Sequence, residues 1–336
     1  MTHSGLRTSL LLACLVGITG CGTQKTSTTA GTGASPTAAG FKVALLTTGP
    51  VSDGGWNQAA YEGLQRVGKE LGAQTDKQEN LKPAQFREAF RDFASRGYSV
   101  IFAHGDEFGP DAAAVAAQFP NVVFITTGGS EKPGPNIAPI HFSTEQGTYL
   151  QGIEAALVSK TGKGGFVGGE EVPPVKVAAE AFANGAKSVN PKYTFQTTYI
   201  NSWSDTVAAK SQADALISSG VDTLAHNCDA AAQGLFDTVR AHPTVYAFGV
   251  NYDENGKAPN VLSSAYLDIP RAFADIARSV KDHTFQGKAM TLDMKGGYVR
   301  LIDNPKLANV IPAAGKAKVE QAQKDIISGK IIVPSS

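Results

Sequence analysis

The sequence predicts an α/β protein of two lobes, each a parallel sheet with helices on both faces. Three observations carry the prediction. From Phe41 onward, short apolar runs alternate with stretches of helical spacing. The alternation restarts after one long helical stretch, Glu145 to Ser159. The apolar runs end in loops that collect glycine, amide, carboxylate and both tryptophans. Alternating β and α elements call for parallel sheets covered on both faces, and two such lobes in tandem leave a cleft between them. A chain of 336 residues, 42% hydrophobic, has enough apolar material for two ordinary domains with a core each.

Residues 1–20 read as a secretion signal. Arg7 supplies the positive start, and Leu10 to Ile18 is largely apolar but too short to span a bilayer. Ile18-Thr19-Gly20-Cys21 resembles a bacterial lipobox, which would make Cys21 the acylated first residue. An ordinary signal with an incidental cysteine is the alternative. Lipid chains contribute roughly 0.8 kcal/mol per buried methylene, so an acylated Cys21 would hold the protein on a membrane outside the cytoplasm. Residues 21–40 are Ser/Thr/Gly/Ala/Pro-rich after the cysteine and read as a flexible tether.

Phe41 to Leu46 is a short buried run, hence a strand. Thr47 to Gln58 is a loop, and Ala59 to Leu71 repeats apolar residues at helical spacing. Gln85 to Arg96 is a helix. Tyr98 to Ala103 is a strand ending in His104-Gly105-Asp106-Glu107-Phe108. Pro110 suits the first turn of a helix through Gln118. Asn121 to Thr126 and Ile137 to Phe142 are strands, and Glu145 to Ser159 is the bridging helix. The second lobe repeats the grammar. Its strands are Gly164 to Gly168, Tyr193 to Ile200, Val221 to His226, Val245 to Val250 and Val261 to Tyr266. Its helices start at Pro173, after Ser204 or Asp205 as cap, and at Ala230. Pro270 opens another helix. Ala289 to Met294 and Tyr298 to Ile302 read as two short strands about a Gly296-Gly297 turn, and Lys316 to Ser328 is a closing helix. Lobe boundaries follow: 41–144 for the first, with about 262–285 returning to it, and 145–261 with about 286–336 for the second. Hinges are expected near Phe142–Glu145, Asn251–Leu262 and Tyr266–Asp268.

Basic and acidic residues balance at 30 each, so no electrostatic footprint for nucleic acid exists. The three cysteines, Cys14, Cys21 and Cys228, form no CxxC and no Cys/His cluster. No metal and no cofactor is expected.

In open parallel sheets ligands bind at the carboxyl ends of strands. The first lobe brings Thr48, Asp53, Trp56, Asn57, His104, Gly105, Asp106, Glu107 and Thr127 to those ends. The second brings Trp203, Asn227, Cys228, Asp229, Asn251 and Tyr266. Trp56 offers a flat face and Asn57 an edge reader. The bland alternative makes Asp53 a helix cap and Trp56 a core anchor. With one indole from each lobe, a planar ligand can be sandwiched, and stacking a base on an aromatic is worth about 1–3 kcal/mol. An unpaired buried polar group costs roughly 1–3 kcal/mol, which lets amide and carboxylate groups discriminate among ring edges.

From Phe41 to its end the chain resembles the basic membrane protein family, bacterial substrate-binding lipoproteins of ABC importers related to purine nucleoside receptors. The resemblance rests on Asp53-Gly-Gly-Trp-Asn-Gln-Ala-Ala-Tyr-Glu-Gly-Leu64, on His104-Gly105 with Glu107-Phe108, and on Val167-Gly-Gly-Glu-Glu-Val-Pro-Pro-Val175. Phe182 to Val189, Ser202-Trp-Ser-Asp205 and Phe248-Gly-Val-Asn251 extend it. It implies a type I periplasmic-binding-protein-like fold, no enzymatic activity, a small-molecule ligand, a membrane permease as partner and a monomer. The family's aromatic–Asn pair falls on Trp56 and Asn57, its second-lobe aromatic on Trp203, and its loop after the strand at Leu224 on Asn227 to Ala230. Three departures stand out. Acidic residues that hold ribose hydroxyls in nucleoside-binding members fall on Thr48 and Thr127. An Asp falls on Asn251, and a Lys on Leu267. The expected ligand is therefore a bare purine-like base rather than a nucleoside. The ligand-binding set is Asp53, Trp56, Asn57, His104, Gly105, Glu107, Thr127, Trp203, Asn227, Asp229, Asn251 and Tyr266.

Two other classes compete. A hydrolytic enzyme could use His104 beside Asp106 and Glu107, or Cys228 beside Asp229. The sequence has no nucleophile elbow, P-loop or GxGxxG after the first strand. A sensor presenting the same ligand to a signalling partner would share every feature of an importer's receptor.

Overall fold

The central strands are buried on both sides, as strands covered by helices must be. The structure is a computed structural model that describes residues 40–335; the signal, nearly all of the tether and Cys21 lie outside the described residues. In chain order, β1 (Lys42–Thr47), α1 (Trp56–Leu71), β2 (Gln74–Gln78), α2 (Phe86–Ser95), β3 (Val100–His104), α3 (Gly109–Ala116), β4 (Val123–Thr127) and β5 (Ile137–Phe142) open the fold. Then α4 (Thr144–Val158) leads to β6 (Lys163–Gly168), α5 (Pro173–Val189), β7 (Thr194–Tyr199), α6 (Thr206–Ser218), β8 (Thr223–Asn227), α7 (Ala232–Ala241), β9 (Tyr246–Asn251) and β10 (Val261–Leu267). The chain ends with α8 (Ile269–Lys281), β11 (Met290–Leu292), β12 (Val299–Asp303) and α9 (Ala313–Ile327).

Two six-stranded sheets result. The first runs β11-β5-β4-β3-β1-β2, parallel throughout. The second runs β12-β10-β9-β8-β6-β7, parallel except for β12, which pairs antiparallel with β10. Alternation along β1 sends Val43 and Leu45 to one face and Ala44 and Leu46 to the other. The first pair joins Leu64, Phe102 and Phe273 in the cluster under α1 and α8. The second joins Phe90, Phe93, Phe108 and Phe124 under α2 and α3. Likewise Val167, Leu224, Leu235 and Phe236 fill the α6/α7 side of the second sheet, and Phe166, Phe182 and Phe248 the side against α4 and α5.

Four features differ from the sequence expectation. β2 is an edge strand reading Gln-Thr-Asp-Lys-Gln, without the apolar run that marks its neighbours. β10, expected to return to the first lobe, pairs with β9 in the second sheet; only α8, packed on α1, makes that return. β11, expected in the second lobe, pairs with β5 in the first sheet. Hence β11 and β12 are not a hairpin, and the Gly296-Gly297 turn carries the chain from one sheet to the other. The crossings are therefore 142–144, 267–269 and 293–298. Asn251–Leu262 links adjacent strands of one sheet and is no crossing. The three crossings are laced together: Ser143 N donates to Leu292 O at 3.0 Å, Asp268 N to Tyr298 O at 2.8 Å, and Met294 N to Gln146 Oε1 at 2.8 Å.

Candidate functional site

The loop after β1 is organised by Asp53. Its carboxylate accepts from Gly55 N at 2.9 Å, Asn57 N at 2.9 Å and Gln58 N at 3.0 Å, so it satisfies the open amides at the start of α1. It also accepts from Asn57 Nδ2 at 2.9 Å. That bond orients the amide and leaves Asn57 Oδ1 buried without a partner. Asp53 is thus a helix cap whose oxygens are committed, as the bland reading had it. Trp56 is not sealed: it packs on the first lobe's cluster and remains partly exposed.

Behind Trp56 stands His104, the last residue of β3. The two rings are stacked with centroids 4.0 Å apart and planes 25° apart. His104 Nε2 is 3.1 Å from Trp56 O, and Nδ1 is 3.1 Å from Thr127 Oγ1. Burial pushes the imidazole pKa down to about 3. The sequence reading set His104 and Thr127 against the ligand. The structure buries both one layer deeper, at 1% and 2% exposure, with their polar atoms engaged on each other and on the backbone. The physical reason is α8: Phe273 comes edge-on to His104 at 5.8 Å and closes that side of the sheet end.

Gly105 and Glu107 follow in the turn after β3. The Glu107 carboxylate folds over Gly105, where a Cβ would collide with it. Glu107 remains solvent-exposed at the mouth of the lobe. Crowding by protein raises its carboxyl above the usual range, opposed by its own backbone amide and Thr48.

In the second lobe, Trp203 packs against Gly169, so close that a Cβ there would collide with the ring. It is partly exposed. Among the described residues the two indoles do not stack on each other. Asn227 and Asn251 end β8 and β9; Asn251 Nδ2 donates to Asn227 Oδ1 at 3.4 Å. Asn251 (φ 65°) and Asp229 (φ 46°) both occupy the left-handed region that Asn and Asp tolerate. The position a Cβ would take on Gly55 lies 3.9 Å from Asp229 Oδ1, so the lobes touch here. Burial, with Asp53 and Glu254 nearby, pushes the Asp229 carboxyl well above its usual value. Tyr266, next to last in β10, is half-buried, with the Arg300 guanidinium over its ring at 4.8 Å.

Beneath the second-lobe loops sit His226, Cys228 and Glu254, all buried. His226 Nε2 is 2.9 Å from Glu254 Oε2, outside good hydrogen-bond alignment, and His226 Nδ1 is 4.0 Å from Cys228 Sγ. The order of groups resembles a nucleophile–base–orienter set. However, Cys228 has no exposure, and burial raises its thiol well above the ordinary value, the reverse of an activated nucleophile. Among the described residues no cluster of three metal-ligating side chains occurs.

Sequence reasoning missed two contacts across the cleft. Tyr252 Oη donates to Glu62 Oε1 on α1 at 2.9 Å. Lys257 Nζ lies 3.4 Å from the Cβ position of Gly54. Neither carries a local signal, because both depend on lobe docking. Two surface concavities lie elsewhere. One is beside Tyr98, Phe119 and Val122, and one is lined by Glu154, Leu262, Asp303 and Lys316. Neither contains a strand-end residue of the cleft, where the topology places the chemistry.

Two facing sheets, three crossings and loops converging at the carboxyl strand ends are the geometry of a hinged binding protein. Residues 41–336 match the family model described as ABC transporter substrate-binding protein PnrA-like. The chain belongs to that family. It is similar to an ABC transporter nucleoside-binding protein, BmpA, of Lactococcus lactis subsp. cremoris, 29% identical over 350 residues that cover 97% of each chain. It is also similar to a purine-binding protein of Brucella abortus, 29% identical over 297 residues covering 87% of this chain and 82% of the relative. Among solved structures, an ABC transporter solute-binding protein from Conexibacter woesei superposes with a TM-score of 0.73 at 26% identity, covering 88% of this chain and 99% of that one. Members of the PnrA-like family are substrate-binding components of ABC transporters, which gives the chain a place outside the cytoplasm, a small-molecule ligand and a membrane permease as partner. Among the described residues no helix is long and apolar enough to cross a membrane.

Proposed function

We propose that this chain is a lipid-anchored receptor of an ABC importer that captures a purine base by closing its two lobes, and that it turns nothing over. The observation that carries the reading is the pair of partly exposed indoles, Trp56 braced on His104 and Trp203 on Gly169, offered from opposite lobes at the strand ends. An indole backed by a fixed plane is a ready platform for a flat heterocycle. Asn57 Oδ1, buried and unpartnered, supports recognition of a ligand N–H, since an unmet acceptor there is costly. The names of the Lactococcus and Brucella relatives point to the same chemistry.

The base is favoured over the nucleoside. Where the resemblance implies a ribose-holding acid at the end of β4, this chain has Thr127, whose hydroxyl is taken up by His104. The remaining ligand contacts in this reading come from Glu107, Asn227, Asp229, Asn251 and Tyr266 around the cleft, with Asp53 and Gly105 shaping the loops. Cys21 is the anchor; substitution by Ala should release the protein from the membrane fraction. Calorimetry with adenine, guanine, hypoxanthine and adenosine tests the ligand. Adenosine binding more tightly than every base would reject the base reading. Chromatography of the recovered ligand, unchanged after long incubation, would support a receptor over a hydrolase.

A further inference from the structure

We infer that His104 is a positioning residue: as a neutral imidazole protonated on Nε2, it sets the tilt of the Trp56 indole before any ligand arrives. The inference rests on the reading of Trp56 as the ligand platform, but its geometry stands by itself. A carbonyl oxygen can only accept, so the 3.1 Å contact from His104 Nε2 to Trp56 O requires the hydrogen on Nε2. A neutral ring then has a bare Nδ1, which takes the hydroxyl hydrogen of Thr127 at 3.1 Å. The hydrogen bonds run one way, from Thr127 at the end of β4, through His104 at the end of β3, to Trp56 at the start of α1.

The same imidazole is stacked on the indole at 4.0 Å. It therefore grips Trp56 twice, once by the ring and once by the backbone. Phe273 meets it in a T-shaped contact at 5.8 Å and is itself stacked on Phe102 at 4.0 Å with planes 8° apart, so the far side of the imidazole is packed too. Burial disfavours the charged imidazole, and the Trp56 carbonyl opposes that only in part. A histidine held this way is a wedge between strand end and helix start, and preorganises the aromatic face without touching the ligand.

The test uses Trp203→Phe, which leaves Trp56 as the sole indole of the chain. Into it go His104→Ala, His104→Phe, which keeps a flat ring, and His104→Gln, which keeps an N–H near the carbonyl. Each is compared with Trp203→Phe alone. Without ligand, His104→Ala should lower Trp56 anisotropy and raise acrylamide quenching, while circular dichroism stays native. His104→Phe and His104→Gln should each recover part of the loss. Adenine affinity should fall about tenfold in His104→Ala, the scale of a lost stacking contact. Native-like Trp56 anisotropy and affinity in folded His104→Ala would overturn the inference. A parent protein that binds no base would reject the ligand reading, while the ligand-free anisotropy still decides the role of His104. If the variants fail to fold, Trp203→Phe itself decides by titration, because a protonated imidazole quenches a stacked indole. Emission should stay flat through the ordinary histidine range near pH 6.5. A quenching step there would show a charged imidazole against the indole and overturn the inference.

Discussion

Tyr252 of the second lobe and Glu62 of α1 in the first, 190 residues apart, share a hydrogen bond of 2.9 Å across the cleft. Gln58 Nε2 bonds the same Glu62 oxygen at 3.0 Å, which fixes the acceptor. Burial and Glu62 push the Tyr252 phenol up to about 12, so it stays a donor at any physiological pH. Removing a bond of this kind costs about 1 kcal/mol. Tyr252→Phe should therefore shift the ligand-free protein toward a more open form, seen as a larger radius of gyration by X-ray scattering, and weaken ligand binding about fivefold.

The indoles should contribute separately. Trp56→Ala and Trp203→Ala are each expected to weaken base binding by about 1–3 kcal/mol in calorimetry. Gly169→Ala should reproduce part of the Trp203 loss, because a methyl group there collides with the ring and displaces it.

Acid should destabilise the protein through His104. Its folded pKa is lowered to about 3, whereas the unfolded chain titrates near 6.5. The stabilisation is complete above the unfolded value and is lost as pH falls toward the folded one. Asp229 and Glu154 act with the opposite sign. Burial is the main cause that raises both carboxyls, so their contribution is complete below the ordinary carboxylate pKa and lost as pH rises through the folded values. Thermal melts of Asp229→Asn and Glu154→Gln should exceed the parent at about pH 8 and show no gain at about pH 4.

Much of this was legible beforehand. The buried strands announced themselves as apolar runs, and α5 begins at Pro173 as the pattern predicts. Asp205 caps α6 by accepting from Ala208 N, as expected. β2 was invisible because an edge strand facing solvent needs no apolar alternation. The partners of β11 and β12 were invisible because local pattern does not say which sheet a strand joins. At the site, the Asp53–Trp56–Asn57 loop could be read from adjacent residues. The depth of His104 could not, since it is set by Phe273, 169 positions further along.

Cys228 should resist modification. With no exposed surface and a raised thiol, it is expected to react with a water-soluble disulfide reagent only after denaturant is added. Peptide mapping before and after unfolding checks this, and labelling of the native chain would reopen the nucleophile reading.

α4 and α5 meet with almost no separation. A Cβ on Gly185 would overlap Tyr149 O, and one on Gly152 would overlap Phe182 O. Gly185→Ala should force the helices apart and cost about 1–3 kcal/mol or more, read as a lower melting temperature with the ligand absent.

The passage of the chain between sheets at residues 293–298 has a consequence for dissection. Every sheet is completed by residues that arrive late, β11 for one and β10 with β12 for the other. No single cut yields an intact half: a fragment stopping before Val261 would leave an unfinished border on both sheets at once. Whoever wishes to study one half in isolation must splice separate stretches of sequence together.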